Sequence, residues 1–526
     1  MNDMEPLLAV SDLSVRFDSR GKSVHAVQAL SYTLRAGETL AIVGGSGGGK
    51  TTSCRALVGL LPASARITGS IRYAGTELVG IPEREMQKYR GSCLAIVFQD
   101  TARALNPTLR IGRQLAQAIA LHRRTDGATS REAALELLGL LGIRDAAGVL
   151  QRYPHELSGG MRQRVAIAIA LSGRPRLLIA DEATRSLDAI NRLETLRLLK
   201  EVQKATGMAI IAIVHDLRQV AEFADNVLVM HDGRAVEYLP ARHLRTQART
   251  DYTRALFEAS PSLDRDVPAR SIAARPVLRV RGVCHEFDTG RRILDGVSFD
   301  LRPGEMFGLV GESGSGKTSL ARAVLQLPRP TNGSVLLDST DLTLLRGRAL
   351  QRQRRGIQMI FQDPTASLDP TWRVSRTVEE PLLAEGSSSP QQRARRVAEL
   401  LELVGLPPET FGARRPAELS GGQCQRVAIA RALAADPVVL ICDEAVSSLD
   451  ALMQIQLMSL LDGLRHTMRL ACLFISHDLA LVRQIADRVA VMYQGQLCEV
   501  ASTAALYERP SHPYTAKLIA SVASYR

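Results

Sequence analysis

The chain has 526 residues, of which 45% are hydrophobic and 4% aromatic, so it is long enough for several domains and too apolar for a disordered chain. Its net charge of +12 is compatible with nucleic acid, anionic lipid or a nucleotide as partner, or with a basic surface that only aids solubility. The longest apolar runs are about seven residues, far below the roughly 18 to 20 of a membrane-spanning helix. The N-terminus lacks the pattern of a signal peptide, and the seven scattered cysteines form no C-x-x-C pair.

The first half opens with a strand-like run, Leu7 to Phe17, and reaches a glycine-rich segment, GGSGGGKT, at Gly44 to Thr51. It fits G-x-x-x-x-G-K-[ST], whose backbone N–H groups surround phosphates while the Lys reaches the β- and γ-phosphates and the Thr hydroxyl binds Mg²⁺. Glycines suit this task because main-chain donors can enclose a polyanion only where no Cβ intervenes and φ > 0 is allowed. The apolar run TLAIV before the loop has the character of a buried strand. A nucleotide site is therefore predicted here.

Further short motifs follow in the first half. They are FQD at 98–100, LSGG at 157–160, LLIADEA at 177–183 and VHDL at 214–217. Between FQD and LSGG, the segment Glu132 to Ile143 has apolar residues at helical spacing. After LSGG, apolar strand-like runs alternate with helical patterns, which favours an α/β fold with a mainly parallel sheet.

The second half repeats these motifs in the same order. They are GESGSGKT at 311–318, FQD at 361–363, LSGG at 419–422, VLICDEA at 439–445 and SHDL at 476–479. The helical pattern before LSGG also returns, at Arg395 to Leu406. Asp181 follows Ser158 by 23 residues, and Asp443 follows Ser420 by the same 23. Repetition with fixed spacing indicates an internal duplication.

The halves meet at Ser260 to Pro276, a segment rich in Pro, Ser and charge that lacks periodicity. Such a composition predicts a short exposed linker. The expected domains are therefore residues 1–259 and 277–526, joined by a linker at 260–276.

The order of phosphate loop, FQD, LSGG, apolar run with DE, and HD is similar to that of ATP-binding cassette (ABC) ATPases, over nearly the whole chain. The resemblance implies two tandem P-loop ATPase domains, each with a mainly parallel core sheet, an antiparallel β subdomain and a helical subdomain. It implies ATP and Mg²⁺ as cofactors, and ATP hydrolysis. It also implies a head-to-tail sandwich of the two halves within one chain rather than a homodimer, with each ATP between the loop of one half and the LSGG of the other.

The same resemblance assigns roles to single residues. The Glu of each DE pair polarises the attacking water, the Gln of each FQD senses Mg²⁺ and that water, and the His of each HD pair holds the γ-phosphate. These catalytic residues are Glu182, Glu444, Gln99, Gln362, His215 and His477. The expected Mg²⁺ ligands are Thr51, Gln99, Asp181, Thr318, Gln362 and Asp443.

The nucleotide-binding residues lie in the two loops, in the two signatures and at an aromatic position before each loop, where the family places a ring on adenine. In the first half they are Phe17, Gly44, Gly45, Ser46, Gly47, Gly48, Gly49, Lys50, Thr51, Thr52, Ser158, Gly159 and Gly160. In the second half they are Phe287, Gly311, Glu312, Ser313, Gly314, Ser315, Gly316, Lys317, Thr318, Ser319, Ser420, Gly421, Gly422 and Gln423. A Phe near a strand end is about as often a core residue, and that alternative stays open for Phe17 and Phe287.

The sequence departs from the family pattern at a few positions. The first loop has Gly45 where Glu is common and Gly48 where Ser is common, and the first signature ends in Met161 instead of Gln. Ala183 and Ala445 follow the DE pairs where Pro is common. Because the family shares its sites between halves, each site has one altered part, and both keep their Lys, Glu and His. We therefore expect two hydrolysis-competent but unequal sites.

Other segments resemble the peptide and nickel importer branch of the family. RPSHPYTAKL at 509–518 resembles its C-terminal HPYT segment, and DYTRAL at 251–256 is a worn first copy. FQDPTASLDP at 361–370 and FQDTARALNP at 98–107 resemble its extended FQD motif. The implied protein is the ATPase subunit of an importer of peptides, glutathione, a peptide antibiotic or a nickel chelate.

This resemblance implies two integral-membrane permease subunits and an extracytoplasmic solute-binding protein as partners, and a peripheral position on the cytoplasmic face of the inner membrane. No specific nucleic acid is expected, because the arginine-rich run at 344–356 lacks interleaved aromatic residues for base stacking. The alternatives are a tandem ATPase that acts on ribosomes and a fused sugar-importer ATPase. Neither accounts for the HPYT segment.

Overall fold

The computed structural model describes residues 5–19, 22–98, 104–123, 125–183, 189–214, 217–261, 263, 275–286, 290, 292–386, 388–447 and 449–523. By its internal contacts the chain divides into two compact units, the first ending at Ser260 and the second beginning at Pro261. Among the described residues, each unit contains one four-stranded sheet, one six-stranded sheet and a set of helices. The expected architecture is thereby confirmed for each unit.

The four-stranded sheets are antiparallel. In spatial order, the strands of the first are Lys22–Leu34, Leu8–Ser19, Ala65–Tyr73 and Thr76–Glu77. Those of the second are Arg292–Leu301, Leu278–Glu286, Asn332–Leu337 and Thr340–Asp341.

The six-stranded sheets are parallel except for one antiparallel edge strand each, which is why their central strands read as continuous apolar runs. The strands of the first, in spatial order, are Arg234–Pro240, Asn226–His231, Thr39–Gly44, Ala209–Ile213, Leu177–Asp181 and Leu94–Val97. Those of the second are Ile357–Ile360, Val439–Asp443, Ala471–Ile475, Met306–Val310, Arg488–Tyr493 and Gln496–Ser502. The strand before each phosphate loop thus lies inside its sheet, with parallel neighbours on both sides.

The α-helices pack around these sheets. Those of the first unit are Lys50–Leu57, Glu83–Tyr89, Ile111–Arg123, Gly127–Leu140, Ala146–Gln151, Gly159–Leu171, Ala189–Thr206, Leu217–Phe223, Leu244–Gln247 and Asp251–Ala259. Those of the second are Lys317–Val324, Gly347–Arg354, Pro364–Ser367, Val374–Glu385, Pro390–Leu403, Pro408–Phe411, Gly421–Leu433, Ala451–Met468, Leu479–Ile485, Thr503–Glu508 and Pro513–Ala523. Short 3₁₀ turns occupy Pro154–Glu156, Ala241–His243 and Pro416–Glu418.

The helices before the signatures end earlier than their apolar pattern. The patterns run to Ile143 and Leu406, whereas the helices end at Leu140 and Leu403. Gly142 and Gly405 follow with φ of 71° and 72°, and a left-handed glycine stops a helix because its backbone no longer continues the hydrogen-bond ladder.

Each unit has its own hydrophobic core between its antiparallel sheet and its core sheet. In the first unit, Leu13 and Val27 of the antiparallel sheet share a cluster with Ile42 and Leu228 of the core sheet and Leu57 of the loop helix. The second unit repeats this arrangement. The core thus fixes the loop helix against both sheets. Within the described residues, no helix has the length and apolarity to cross a bilayer.

Candidate active site

In both units the phosphate loop joins the end of an inner strand to a helix that begins at the loop lysine. The first loop glycines, Gly44 and Gly311, have φ of 146° and 154°. A Cβ on Gly44 would lie 2.0 Å from the carbonyl oxygen of Met230, and one on Gly311 would lie 2.2 Å from that of Met492. The loop therefore leaves the strand in a path that only glycine allows.

The loop lysines are buried, with 5% of Lys50 and 6% of Lys317 exposed. Each Nζ donates to the carbonyl oxygens of the first two loop residues, at 2.9 and 2.7 Å for Lys50 and at 2.8 and 2.7 Å for Lys317. Lys317 also lies 3.4 Å from the Ser315 hydroxyl, whereas the first loop has Gly48 at the matching position. Both ammonium groups are thus held over their loops, where charged phosphate oxygens would be strong acceptors.

The residue after each lysine contacts the aspartate at the end of a neighbouring strand. The Thr51 hydroxyl donates to Asp181 Oδ1 at 2.9 Å, and the Thr318 hydroxyl donates to Asp443 Oδ1 at 3.1 Å. Burial raises the pKa of both aspartates above its ordinary value, and the threonine hydroxyls oppose this shift. Asp181 Oδ2 is buried and has no hydrogen-bond partner within the described part of the chain. A hydroxyl beside a carboxylate with an open oxygen fits a hard cation such as Mg²⁺.

Glu444 is held by two side chains from other strand ends. Gln362 Nε2 donates to Glu444 Oε2 at 2.8 Å, and His477 Nδ1 lies 3.2 Å from Oε1. Burial raises the pKa of Glu444, but the hydrogen bond and charge of His477 together with the charge of Lys317 outweigh it, so the pKa lies below its ordinary value. An ionised carboxylate positioned by a Gln and a His is suited to orient and deprotonate a water molecule.

Glu182 occupies the matching place in the first unit and is 8% exposed. The predicted partners Gln99 and His215 lie outside the described residues. Glu182 and Glu444 have φ of 52° and 49°, in a left-handed region that costs a non-glycine residue about 1 kcal/mol or more. Sequence reasoning did not reveal this shared strain, which is of the kind that collects at functional sites.

The signature serines cap helices. Ser158 precedes the helix Gly159–Leu171 and accepts from the Met161 N–H at 3.3 Å, and Ser420 accepts from the Gln423 N–H at the same distance. In the second unit Gln423 Oε1 also accepts from the Ser420 N–H, at 2.9 Å. Both serines are exposed. The signatures thus present exposed helix N-termini, whose dipoles favour an anion.

The aromatic predictions stay predictions. Phe17 lies on the strand Leu8–Ser19, partly buried against the core of the first unit. Phe287 lies outside the described residues.

Two tyrosines at the loops were missed by sequence reasoning. The N–H groups of Gly45 and Glu312 donate to the hydroxyl oxygens of Tyr252 and Tyr514, at 2.8 and 3.2 Å. Sequence reasoning uses the DYT and HPYT segments, which carry these tyrosines, only as a resemblance to the peptide and nickel importer branch. The sequence signal that could have revealed these tyrosines is that the DYT and HPYT segments stand at equivalent positions in the two halves.

Comparison with known proteins identifies the family of the chain. The ABC transporter family model matches residues 27–185 and 294–447, more than half of the chain. The chain therefore belongs to the ABC transporter family and is an ATP-using ATPase. The model of the oligopeptide/dipeptide transporter C-terminal region matches residues 498–526. Within the family, the chain is thus the ATPase subunit of a peptide-type importer, which confirms the main prediction over both alternatives.

Similar proteins extend over nearly the whole chain. The glutathione import ATP-binding protein GsiA of Pectobacterium atrosepticum is 42% identical over 557 residues, which cover 98% of this chain and 89% of that protein. The GsiA protein of Escherichia coli K12 is also 42% identical, over 561 residues covering 99% of this chain and 90% of that protein. A solved dimeric ATP-binding cassette with ADP and Pi is 29% identical and covers 43% of this chain and 98% of its own, with a TM-score of 0.40.

Proposed function

We propose that the chain hydrolyses ATP with Mg²⁺ at two sites and thereby drives the import of glutathione or another short peptide. The observation that carries the proposal is the duplicated set of a buried loop lysine and a Thr–Asp pair, each followed by a glutamate with positive φ. Glutathione is proposed as the solute because the GsiA relatives are named glutathione import ATP-binding proteins.

In this proposal, Lys50 and Lys317 pair with the β- and γ-phosphates. The backbone N–H groups of the loops also donate hydrogen bonds to these phosphates. Thr51 with Asp181, and Thr318 with Asp443, hold Mg²⁺, which supplies charge neutralisation on the phosphates when bound. The open Oδ2 of Asp181 supports this assignment.

In the second half, Glu444 accepts the proton of the attacking water. Glu182 has the same role in the first half. Gln362 fixes one carboxylate oxygen of Glu444 and His477 fixes the other, so the base is oriented before the water attacks the γ-phosphate. Such a base contributes about 10²–10⁴ in rate. Gln99 and His215 are assigned the matching roles in the first half.

The remaining assignments complete the proposal. The exposed signature N-termini bind phosphate, and residues 1–259 and 277–526 are the two domains. Two integral-membrane permeases and a solute-binding protein are the partners, at the cytoplasmic face of the inner membrane. The C-terminal match to peptide transporters supports these partners.

Reconstitution tests the solute. The chain is purified with its co-expressed permeases, placed in lipid vesicles and supplied with the binding protein. We expect glutathione supplied on the side of the binding protein to raise ATP turnover and to accumulate in the compartment that contains the ATPase, with maltose as the negative control. Stimulation by maltose, or recovery of the chain with ribosomes and without a membrane protein, would contradict the proposal.

A further inference from the structure

The last helix of each unit reaches back to the phosphate loop through one tyrosine. The Gly45 N–H donates to Tyr252, 207 residues further along the chain, and the Glu312 N–H donates to Tyr514, 202 residues further. Both donors belong to the second residue of their loops. The two units therefore repeat one long-range contact.

Each tyrosine ring rests on another ring at the end of the strand beside the loop strand. Tyr252 stacks on His231 with ring centroids 4.0 Å apart, and Tyr514 packs on Tyr493 at 4.2 Å. His231 and Tyr493 are the last residues of their strands. Because ring pairs at this distance are attractive, the platforms hold the hydroxyl groups at the loops.

A glutamate on each antiparallel edge strand anchors the segment before the tyrosine. Glu237 accepts from the hydroxyl and the N–H of Thr250, at 3.0 and 3.4 Å. Glu499 accepts from the N–H groups of Ser511 and His512, at 2.8 and 3.0 Å. In both units the glutamate therefore holds the start of the segment, while the ring contact holds its tyrosine.

One peptide group of the loop is held from both sides. Lys50 donates to the Gly44 carbonyl oxygen at 2.9 Å, and the Gly45 N–H of the same peptide group donates to Tyr252. The C=O and N–H of a trans peptide point in opposite directions. The tyrosine therefore fixes the rotation of the peptide group whose carbonyl oxygen holds the lysine.

The second loop repeats this arrangement, with Lys317 2.8 Å from the Gly311 carbonyl oxygen and the next N–H on Tyr514. We propose that Tyr252 and Tyr514 are positioning residues that set the phosphate loops for nucleotide, an inference that rests on the proposed ATP site. The match to the peptide-transporter C-terminal region covers only the second segment, residues 498–526. The first segment makes the same contacts, so the structure assigns it the same role.

The test replaces each tyrosine by phenylalanine in the full chain. Tyr252→Phe and Tyr514→Phe remove only the hydroxyl and keep the stacked ring. We expect the loop peptide of the altered unit to exchange its amide hydrogens several-fold faster. We expect a fluorescent ATP analogue with Mg²⁺ to bind the altered loop about threefold to tenfold more weakly, the effect of one neutral hydrogen bond.

Tyr507→Phe is the matched control. Its hydroxyl donates to the Leu479 carbonyl oxygen at 2.5 Å in a buried position. Its loss should lower the melting temperature and leave loop exchange and nucleotide affinity unchanged. The two loop variants should show the reverse pattern, which a merely structural role would not produce.

The outcomes separate this inference from the proposed function. Wild-type loop exchange and wild-type affinity in both loop variants would overturn the positioning role while leaving the ATP site intact. A wild-type chain that fails to bind the analogue would overturn the ATP site. Loop exchange would still decide, in that case, whether the tyrosines hold the loops.

Discussion

At the scale of single residues, the site depends on how buried polar groups are satisfied. The aspartates of both units lie at strand ends with almost no exposure and receive a threonine hydroxyl. Glu444 is less enclosed and receives a Gln and a His. The first arrangement suits a cation, because one carboxylate oxygen of Asp181 has no hydrogen-bond partner among the residues that the structure describes. The second suits proton transfer, because an oriented and ionised carboxylate can accept a proton.

Glu182→Gln and Glu444→Gln test whether both units hydrolyse ATP. Glutamine keeps the size of the side chain but is a far weaker base. The turnover rate of the double variant should therefore fall by a factor of about 10²–10⁴. Each single variant should lower turnover by a different amount, because the two loops and signatures differ. Steady-state phosphate release measures this, with binding of an ATP analogue as the control for folding. Full turnover in Glu444→Gln together with none in Glu182→Gln would refute two competent sites.

Thr318→Val tests the proposed metal site. Valine has nearly the shape of threonine but lacks the hydroxyl that donates to Asp443. We expect the Mg²⁺ concentration for half-maximal ATP turnover to rise at least about tenfold, a typical cost of altering a metal site. Thr318→Ser keeps a hydroxyl and should stay near the wild type, while excess EDTA should abolish turnover. An unchanged Mg²⁺ requirement in Thr318→Val would remove Thr318 from the ligand set.

At the scale of elements, the two signature helices differ at their first turn. Ser420 and Gln423 form a reciprocal pair, in which each side chain accepts from the other residue's N–H. Met161 has no side-chain oxygen, so the first helix keeps only the Ser158 half of this pair. A Gln-to-Met difference thus changes how firmly the N–H donors of a signature are ordered.

Met161→Gln should complete the capping box of the first signature helix. The added acceptor for the Ser158 N–H should stabilise that helix start by about 0.5–1 kcal/mol. Amide hydrogen exchange of the peptide around residue 158 should slow about twofold to fivefold, the corresponding change in local opening. Gln423→Met is the reciprocal control and should speed exchange around residue 420. Equal exchange in both variants and the wild type would show that the cap contributes nothing.

At the scale of the whole chain, duplication has produced two units that each contain their own core. The core clusters of the two units share no residue, and each joins an antiparallel sheet to a core sheet through the loop helix. The phosphate loop of each unit can therefore be ordered by contacts within that unit.

Limited proteolysis tests the proposed boundary. Trypsin can cut after Arg265 and Arg270, which lie in the predicted linker, whereas Pro276 protects the bond after Arg275. We expect two resistant fragments, each about half of the 57.2 kDa chain, since packed cores open rarely compared with exposed segments. Mass spectrometry identifies the cut sites. Early cutting inside either core sheet, with the 260–276 segment intact, would contradict the boundary.

The sequence by itself determined the loops, the duplication and the branch of the family. A phosphate loop depends on the order of adjacent residues, because its glycines and its lysine act within one turn of chain. The apolar runs that end in Asp181 and Asp443 likewise predicted buried parallel strands. The apolar spacing predicted helices that extend past Gly142 and Gly405, where the structure ends them earlier. Apolar spacing does not reveal that a glycine has a left-handed backbone.

Only the tertiary structure decided how distant groups meet. Glu444 contacts Gln362, 82 residues away, and His477, 33 residues away, because the order of the parallel strands brings their ends together. The contact of Tyr252 with Gly45 spans 207 residues and depends on the start of the helix Asp251–Ala259 packing on His231, at the end of the strand that neighbours the loop strand. Motifs record what neighbouring residues can do, whereas the pairing of remote side chains follows from strand order and packing, which no short segment encodes.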